Sequence, residues 1–549
     1  MKSHYPENKL TIVGGGIVGA IEAYFAYLEA KNNGKKIRIT IHEKNESISE
    51  TTTSHIVPSL TPDEILSVVP RGQELVKKLK ILFSEPGGIR VNDVEKVNDS
   101  AVTDEFIRQV QEYSSDEEGH HLRTKTLLEL GKMSMNLWQY IYDNADADLK
   151  NILEESNFNP CREPNNIGNE TLHDGYRIDL IYNIPNAKDR ANGMKVDYEG
   201  LGYTNCKILS PMEVMEKDPF LVDFCESHSL INEFGKRQWK NDAVALWRPG
   251  GCIDTQVFLP KFFTYLKKVM GQYINELDET KDCFQLRFSR NVTEVTYDHE
   301  NEKRNMINGL KFFGHSTIKH NTHGYENSDY VFCPGEAVGT LHSLGLNEPA
   351  YARFAGASLM LNIPVPSDKL EQYTKFNHCM EVHQEGVVLA WQARFRDNKI
   401  FIGVAGTKAF YSDQKPHKDQ AFAINRNLLQ LNMINDVLPE FISLALGRDT
   451  KGQKLIEQDL KYLEEKRIAD RWVGTRAVAY DGFPTLGAVS NTDGEISNAR
   501  CTTHLGSGGG SFSPAAVSVS RSTLYKHHDS NVLTQNVLKY GASNRKMMP

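Results

Sequence analysis

Two glycine clusters at opposite ends of the 549-residue chain have the residue types and spacing to receive an electron-rich group. The first is Gly14-Gly15-Gly16-Ile17-Val18-Gly19, a G-x-G-x-x-G. Gly14 permits a tight turn, Gly16 lets the backbone approach a pyrophosphate, and Gly19 lets a helix pack closely on the preceding strand. The N–H groups that open such a helix are unpaired, and its dipole is positive there, so phosphate is a natural ligand. Glu43, followed by Lys44, stands where an acid can accept hydrogen bonds from ribose hydroxyls. Its charge argues against a 2′-phosphate, and so against NADP. This loop alone leaves FAD and NAD open. The second cluster is His504-Leu505-Gly506-Ser507-Gly508-Gly509-Gly510-Ser511. It too precedes a helical pattern, whose N-terminus can donate to a group that gains electron density, such as the N1–C2=O edge of a flavin on reduction. A nicotinamide enzyme usually completes its nucleotide domain within the first ~150 residues. Here the second cluster lies near the end of the chain, which selects FAD.

Several elements must position these clusters. Leu10 to Val13 is an apolar, β-branched run of the buried-strand type. A helix is predicted from Ala20 to about Lys31, ended by Asn33-Gly34. A second strand, Ile37 to Ile41, delivers His42-Glu43-Lys44. At the far end a strand from Ala499 to Thr503 and a helix from Pro514 to Tyr525 flank the late glycines. Gly386 to Trp391 and Lys399 to Val404 read as paired strands, the second ending at Ala405-Gly406-Thr407.

Composition narrows the function classes. The chain is 40% hydrophobic and 24% charged, ordinary for a globular protein. A net charge of -8 and a pI near 6.2 argue against non-specific nucleic-acid binding. The apolar stretch from Leu10 to Leu28 is broken by four glycines and Glu22, so no transmembrane segment is predicted, and the N-terminus lacks a signal-peptide core. Cys161, Cys206, Cys225, Cys252, Cys283, Cys333, Cys379 and Cys501 include no C-x-x-C pair. They read as free thiols in a reducing cytoplasm, with no metal site.

Together these segments resemble the D-amino-acid oxidase superfamily of FAD-dependent oxidoreductases, and within it the bacterial D-amino-acid dehydrogenase branch. The resemblance also rests on Ser49-Glu50-Thr51-Thr52-Thr53-Ser54, on Leu209-Ser210-Pro211-Met212-Glu213 through Asp218-Pro219, and on Pro249-Gly250-Gly251-Cys252-Ile253-Asp254. It continues in Asp329 to Ala337, in Gly474-Thr475-Arg476 and in Asp481-Gly482-Phe483-Pro484. It implies bound FAD contacted by Gly14 to Gly19, Glu43, Lys44, Thr51, Thr52, Ser54, His55, Val295, Gly335, Gly482, Pro484 and Gly506 to Gly509. It implies hydride transfer from a substrate Cα to flavin N5, giving an imine that hydrolyses to a 2-oxo acid. Arg476 would grip the substrate carboxylate, a task suited to a planar guanidinium. His504 would tune the ring, contact substrate, or serve structure; Tyr351 and Arg353 are substrate contacts or structural residues. The chain departs from the pattern at Ser54-His55-Ile56-Val57, where relatives run through asparagine, alanine and glycine. It also departs at Glu336, and at Pro349 to Leu359, which lacks the usual lysine.

The expected architecture is α/β: a discontinuous Rossmann-like FAD-binding domain from residues 1–60, 245–345 and 470–530, and a mixed or antiparallel-sheet substrate domain from 61–244 and 346–469. Residues 100–245 and 300–328 read as polar surface insertions, and 531–549 as a mobile tail. The expected activity is oxidation of an amine or D-amino acid. Alternatives are oxidation of a 2-hydroxy acid, or a flavoprotein whose substrate site is lost or repurposed. The partners are a small amino acid or related carboxylate and an electron acceptor, oxygen or quinone. Localisation is cytoplasmic, compatible with peripheral contact at the inner face of a membrane.

Overall fold

The computed structural model describes residues 8–56, 59–64, 108–109, 112, 117–159, 175–203, 205–277, 283–297, 305–314, 318–319, 328–335, 340–349, 351–384, 387–410 and 420–522. Glu336, Val57, Gly386, Tyr525, the tail and most of 300–328 lie outside them, as does the side chain of Arg353.

The chain opens with β1 (Asn8–Val13), α1 (Ile17–Asn32) and β2 (Ile37–His42). Next come α2 (Glu117–Asp143), β3 (Tyr176–Tyr182), β4 (Lys207–Leu209), β5 (Ala243–Pro249) and α3 (Thr255–Leu277). Strands β6 (Phe284–Arg287), β7 (Val292–Tyr297), β8 (Ile307–Phe312), β9 (Ile318–Lys319) and β10 (Ser328–Phe332) follow. The middle of the chain supplies β11 (Tyr351–Pro364), β12 (Asn377–Gln384), β13 (Val387–Arg396), β14 (Lys399–Phe410) and α4 (Gln420–Val437). The last described elements are β15 (Ala469–Ala479), β16 (Thr485–Asn491), β17 (Gly494–Thr503) and α5 (Gly509–Ser522).

Two large sheets organise these elements. The first is six-stranded, in the order β6-β2-β1-β10-β17-β16. All its pairings are parallel except β16 with β17. Helices cover one face and a small three-stranded sheet packs on the other, so its central strands bury apolar residues: Leu10, Ile12, Ile39, Ile41, Val331 and Phe332 are buried. Helix α1 packs against α3, with Tyr24 and Phe262 edge to face. This is the Rossmann-like half expected from the opening loop. Helix α1 begins at Ile17, directly after the glycines, and α5 begins at Gly509 with Pro514 inside it, both earlier than the sequence suggested.

The second sheet is eight-stranded and mixed, in the order β15-β11-β14-β13-β12-β3-β5-β4. Strands β13 and β14 form the expected hairpin, turned by Asp397 and Asn398 at positive φ. Strand β14 runs on past Gly406 to Phe410, longer than expected, with the pairing to β11 shifting register near Ala355. One face of the sheet is an apolar core of Leu180, Trp247, Leu359, Val382, Trp391 and Ile402, packed with α4. The opposite face carries the alternate residues, and these include charges. Strands β5 and β15 both belong to this sheet, so the boundaries expected near 245 and 470 fall inside its strands, and Arg476 stands on it.

The described parts of the segment 100–245 are not a surface addition. Leu130, Met135 and Trp138 of α2 are fully buried, and β3 and β5 lie inside the second sheet. The two ends of the chain are also tied. Glu22 of α1 is buried and accepts hydrogen bonds from Arg500 of β17 and, at 2.6 Å, from Arg521 of α5. Among the described residues no helix is long and apolar enough to cross a membrane.

Candidate functional site

The opening loop has no room for side chains. Gly14 has φ +113°, and a Cβ there would fall 2.0 Å from the Cys333 carbonyl oxygen. A Cβ on Gly19 would fall 2.1 Å from the Gly14 carbonyl oxygen. Both positions therefore require glycine. Glu43 is buried beneath the loop: its carboxylate accepts from the Gly15 N–H at 2.7 Å and the Asn45 N–H at 2.9 Å. Each carboxylate oxygen keeps capacity for a further donor such as a ribose hydroxyl. Lys44 is exposed.

Thr53 is the residue the sequence reading passed over. Its hydroxyl accepts from the Ile17 N–H at 3.2 Å, at the positive end of α1, and lies 3.0 Å from where a Gly16 Cβ would sit. Its carbonyl is held by the Thr255 hydroxyl at 2.6 Å. The neighbouring Thr51 and Ser54 hydroxyls instead donate to the Ile48 carbonyl at 2.8 and 2.7 Å, holding the loop to itself. Thr52 is half-buried. Nothing in the run Thr51-Thr52-Thr53-Ser54 marks Thr53 out; only the turn geometry does.

The late glycines are set by backbone conformation rather than by crowding. Gly482 and Gly506 have φ +70° and +58°, and Pro484 is buried. The Gly508 N–H is bonded to the Leu505 carbonyl at 2.9 Å, and α5 starts at Gly509. The Ser507 side chain lies outside the described residues. The Trp138 indole N–H donates to the Gly510 and Ser511 carbonyls at 3.2 Å, so α2 braces this turn. Gly335 is an exposed turn at φ +57°. Val295 pairs with Leu310 in a small sheet of β7, β8 and β9, and its side chain joins the core of Val13 and Phe332.

Tyr351 and His504 are brought together. Their rings stack at 5.5 Å. His504 has φ +58° and is buried, with Nδ1 2.7 Å from the Thr485 hydroxyl and Nε2 3.1 Å from a Glu348 carboxylate oxygen. Glu348 in turn accepts from the His342 N–H at 3.1 Å.

Arg476 stands apart from that group, on the charged face of the second sheet. Its guanidinium lies across Gly356 of the adjacent strand, where a Cβ would come within 2.9 Å of it. It is half-buried and, among the described residues, makes no hydrogen bond or ion pair. Burial lowers its pKa from the ordinary guanidinium value, and the carboxylate of Glu64 acts in the opposite sense. Four residues earlier on the same face, the Trp472 indole covers Gly474. His55, from the opening lobe, stacks on Trp472 at 4.8 Å and 8°. Across the sheet from Trp472 the same row is small: Ser358, Ala405 and Ala390, before Glu381. Arg476 and Trp472 thus flank one end of a shallow trough.

Beyond the trough lies a buried ionic cluster. Arg177 contacts Asp179 and Glu381 at 2.9 Å each, and Arg248 contacts Glu381 at 3.0 Å and also Asp179. Burial pushes the Glu381 pKa up, but the two arginines and His383 outweigh it and hold the carboxyl well below the usual range. Asp179, Glu381 and His383 have the spacing of metal ligands. With two guanidiniums already on those carboxylates, the cluster reads as an ion-pair network. A cleft of about 780 Å³ opens on the opposite face of the sheet, lined by Asp218, Phe220, Trp247 and Glu440. It includes Asp218 and Pro219 of the Leu209-to-Pro219 motif but neither glycine cluster and none of Thr53, His55, Trp472, Arg476 or His504, so the chemistry of the residues, not volume, locates the site.

No protein-family model matches the chain, and no curated protein does. Solved structures do. A fructosyl peptide oxidase from E. terrenum is similar with a TM-score of 0.53 and 12% identity, covering 98% of this chain and 92% of that one. A point variant of NikD, an unusual amino acid oxidase essential for nikkomycin biosynthesis, is similar in its open form with a TM-score of 0.52 and 11% identity, covering 98% and 97%. The chain shares their fold. The match extends over almost the whole of each chain.

Proposed function

We propose that the protein is an FAD-dependent oxidoreductase that oxidises the Cα–N bond of an amine or amino acid carrying a carboxylate. The observation that carries this reading is Arg476: a half-buried guanidinium that makes no hydrogen bond or ion pair among the described residues, with only the more distant Glu64 carboxylate acting on its charge, beside a row of small side chains. Such a cation calls for a bidentate anion, and a carboxylate fits. The two similar structures bear the names of an amino acid oxidase and a peptide oxidase, and the proposal extends that class to this chain.

The residues present fit FAD. Gly14 and Gly16 leave backbone accessible at the start of α1, Gly19 lets the helix pack on the turn, and Thr53 accepts from the first-turn Ile17 N–H. These residues and Glu43 would hold the adenosine and pyrophosphate half. The turn from Gly506 to Gly509, at the start of α5, would hold the ring. Bound FAD would supply the two-electron acceptor. The chain's own residues do the rest: Arg476 fixes the carboxylate and so the direction of Cα, while Trp472 and His55 wall off one side from water. His504, enclosed by Tyr351, Thr485 and Glu348, acts as a positioning residue for the late turn.

The finer reading, a D-amino acid substrate in a dehydrogenase-like branch, rests on the motif resemblance; a cytoplasmic location rests on the scattered cysteines, and oxygen and quinone are the candidate electron acceptors. The test is anaerobic titration of the purified yellow protein with D- and L-amino acids, secondary amines and 2-hydroxy acids. Bleaching by an amino-bearing carboxylate is expected. Bleaching by 2-hydroxy acids alone, or by nothing in the panel, would overturn the substrate class. A protein that takes up no FAD would overturn the whole proposal.

A further inference from the structure

Strand β11 carries two neighbouring positions on the face that Arg476 covers. The first is Gly356. A Cβ there would lie 2.9, 3.0 and 3.2 Å from the guanidinium carbon and the two terminal nitrogens of Arg476, so the guanidinium lies flat over the strand. The second is Ser358, two residues on. Its side chain leaves the same face, about 7 Å further along the strand. The intervening and following leucines, Leu359 and Leu361, point into the apolar core on the opposite face. Ser358 pairs directly with Trp472 of β15, but the Trp472 indole reaches over Gly474, the residue opposite Gly356. On the next two strands the residues level with Ser358 are Ala405 and Ala390, which offer no polar side-chain atom.

Ser358 is 2% exposed, and among the described residues its hydroxyl has no hydrogen-bond partner. Its carbonyl accepts from the Asn427 amide of α4 at 3.0 Å, so the strand is tied at this residue and the hydroxyl is what remains unsatisfied. Burying a hydroxyl without a partner costs free energy that alanine would not incur. Beside a guanidinium that also makes no hydrogen bond or ion pair among the described residues, such an atom calls for a ligand that satisfies both.

We propose that Ser358 contacts the substrate, its hydroxyl accepting a hydrogen bond from the nitrogen on substrate Cα; this rests on the reading of Arg476 as the carboxylate anchor. The span fits. A guanidinium nitrogen and a carboxylate oxygen sit about 2.8 Å apart, and a substrate nitrogen and the hydroxyl sit about as far. Within an amino acid the carboxyl carbon and the nitrogen are about 2.5 Å apart. These steps, bent at Cα, bridge the distance from Gly356 to Ser358. The chemistry fits as well. Hydride leaves Cα only when the nitrogen lone pair is free to stabilise the imine. A neutral hydroxyl that accepts from N–H leaves that lone pair free, whereas a carboxylate in its place would hold the amine protonated. The selected substrate is a primary or secondary amine α to a carboxylate.

The test compares the full-length flavin-loaded wild type with Ser358→Ala. The substrate is the amino acid of the panel that bleaches the wild type fastest. The reference ligand is the same carboxylic acid with hydrogen in place of the amino group (propionate for alanine), titrated through its effect on the flavin spectrum. Ser358→Ala is expected to lower kcat/KM for the amino acid about 10-fold, the loss of one hydrogen bond, and to leave the Kd of the reference ligand within about 2-fold. The melting temperature should be unchanged or higher, because an unsatisfied hydroxyl has been removed. An undiminished kcat/KM refutes the assignment, as does equal weakening of both ligands. Loss of bound FAD, or a lower melting temperature with both ligands affected, would place the hydroxyl on the cofactor or in the framework and refutes it too. If no amino-bearing carboxylate bleaches the wild type, the substrate class itself has failed and this contact falls with it.

Discussion

Replacing Arg476 should separate activity from stability. In most buried sites, deleting an arginine strands a carboxylate and unfolds the protein. Arg476 makes no ion pair among the described residues; the Glu64 carboxylate acts on it electrostatically, but burial outweighs this and disfavours its charge. Arg476→Ala should therefore leave the melting temperature unchanged or raised. The substrate loses two charge-assisted hydrogen bonds, worth about 1.5–3 kcal/mol each. Partial exposure argues for the lower end, or about 3–4 kcal/mol in total. At about 1.4 kcal/mol per decade this is a fall in kcat/KM of about 10²–10³. Arg476→Lys keeps the charge but not the planar fork, and should recover part of the loss. The assay is anaerobic flavin reduction by stopped flow, run with a carboxylate substrate and with its decarboxylated amine beside a thermal melt. The amine should be nearly indifferent to the substitution. A variant that loses both substrates equally, or that melts many degrees lower, would refute the carboxylate role.

The other predictions concern the parts that support this site. Glu22→Ala leaves Arg500 buried without an ion-pair partner among the described residues, and should cost about 3–5 kcal/mol in urea unfolding. Gly14→Ala combines φ +113° with a Cβ 2.0 Å from a carbonyl oxygen, so the purified protein should carry little flavin; a normal ratio of flavin to protein absorbance would contradict the steric argument. Glu381 has a folded-state pKa well below its unfolded value of about 4.3. Its stabilisation is therefore present above that unfolded value and is lost as pH falls through the folded one. The urea midpoint should drop more steeply below about pH 5 in the wild type than in Glu381→Gln. Trp472→Ala opens the space above Gly474 and should change KM across substrates with different side chains more than it changes kcat.

Much of the opening lobe was legible because its signals are local. Strand, glycine turn, helix and acidic residue follow one another within residues 8–43, and each depends mainly on its immediate neighbours. The same holds for the hairpin of β13 and β14, whose turn residues sit between two apolar runs. What was not legible depends on distant partners. Arg177 and Asp179 fall in a segment read as polar surface, and it is their pairing with Arg248 and Glu381 that allows these charges to be buried. Trp138 sits in a polar stretch, and its burial is explained by α5, more than 370 residues away. Thr53 differs from its threonine neighbours only in where its hydroxyl points.

The departure at Ser54 to Val57 bears on substrate choice. Glycine in this loop would leave backbone toward the trough; here Ser54 turns inward to the Ile48 carbonyl and sends His55 outward. His55 Nε2 lies 2.8 Å from the Ser49 carbonyl oxygen, which fixes the ring plane, and Trp472 stacks on that plane. Trp472 can lie flat only because position 474 is glycine: a Cβ there would come within 1.7 Å of the indole. Three residues from two lobes therefore specify one rigid aromatic wall beside Arg476. In the proposed site Arg476 would supply an anchor that any 2-substituted carboxylate could use, so it could not by itself discriminate among substrates. Discrimination must come from what borders the anchor, and on this side the border is a π surface that excludes bulk and favours planar or cationic groups. The unusual loop and the late glycine motif, far apart in the chain, are two halves of that one surface.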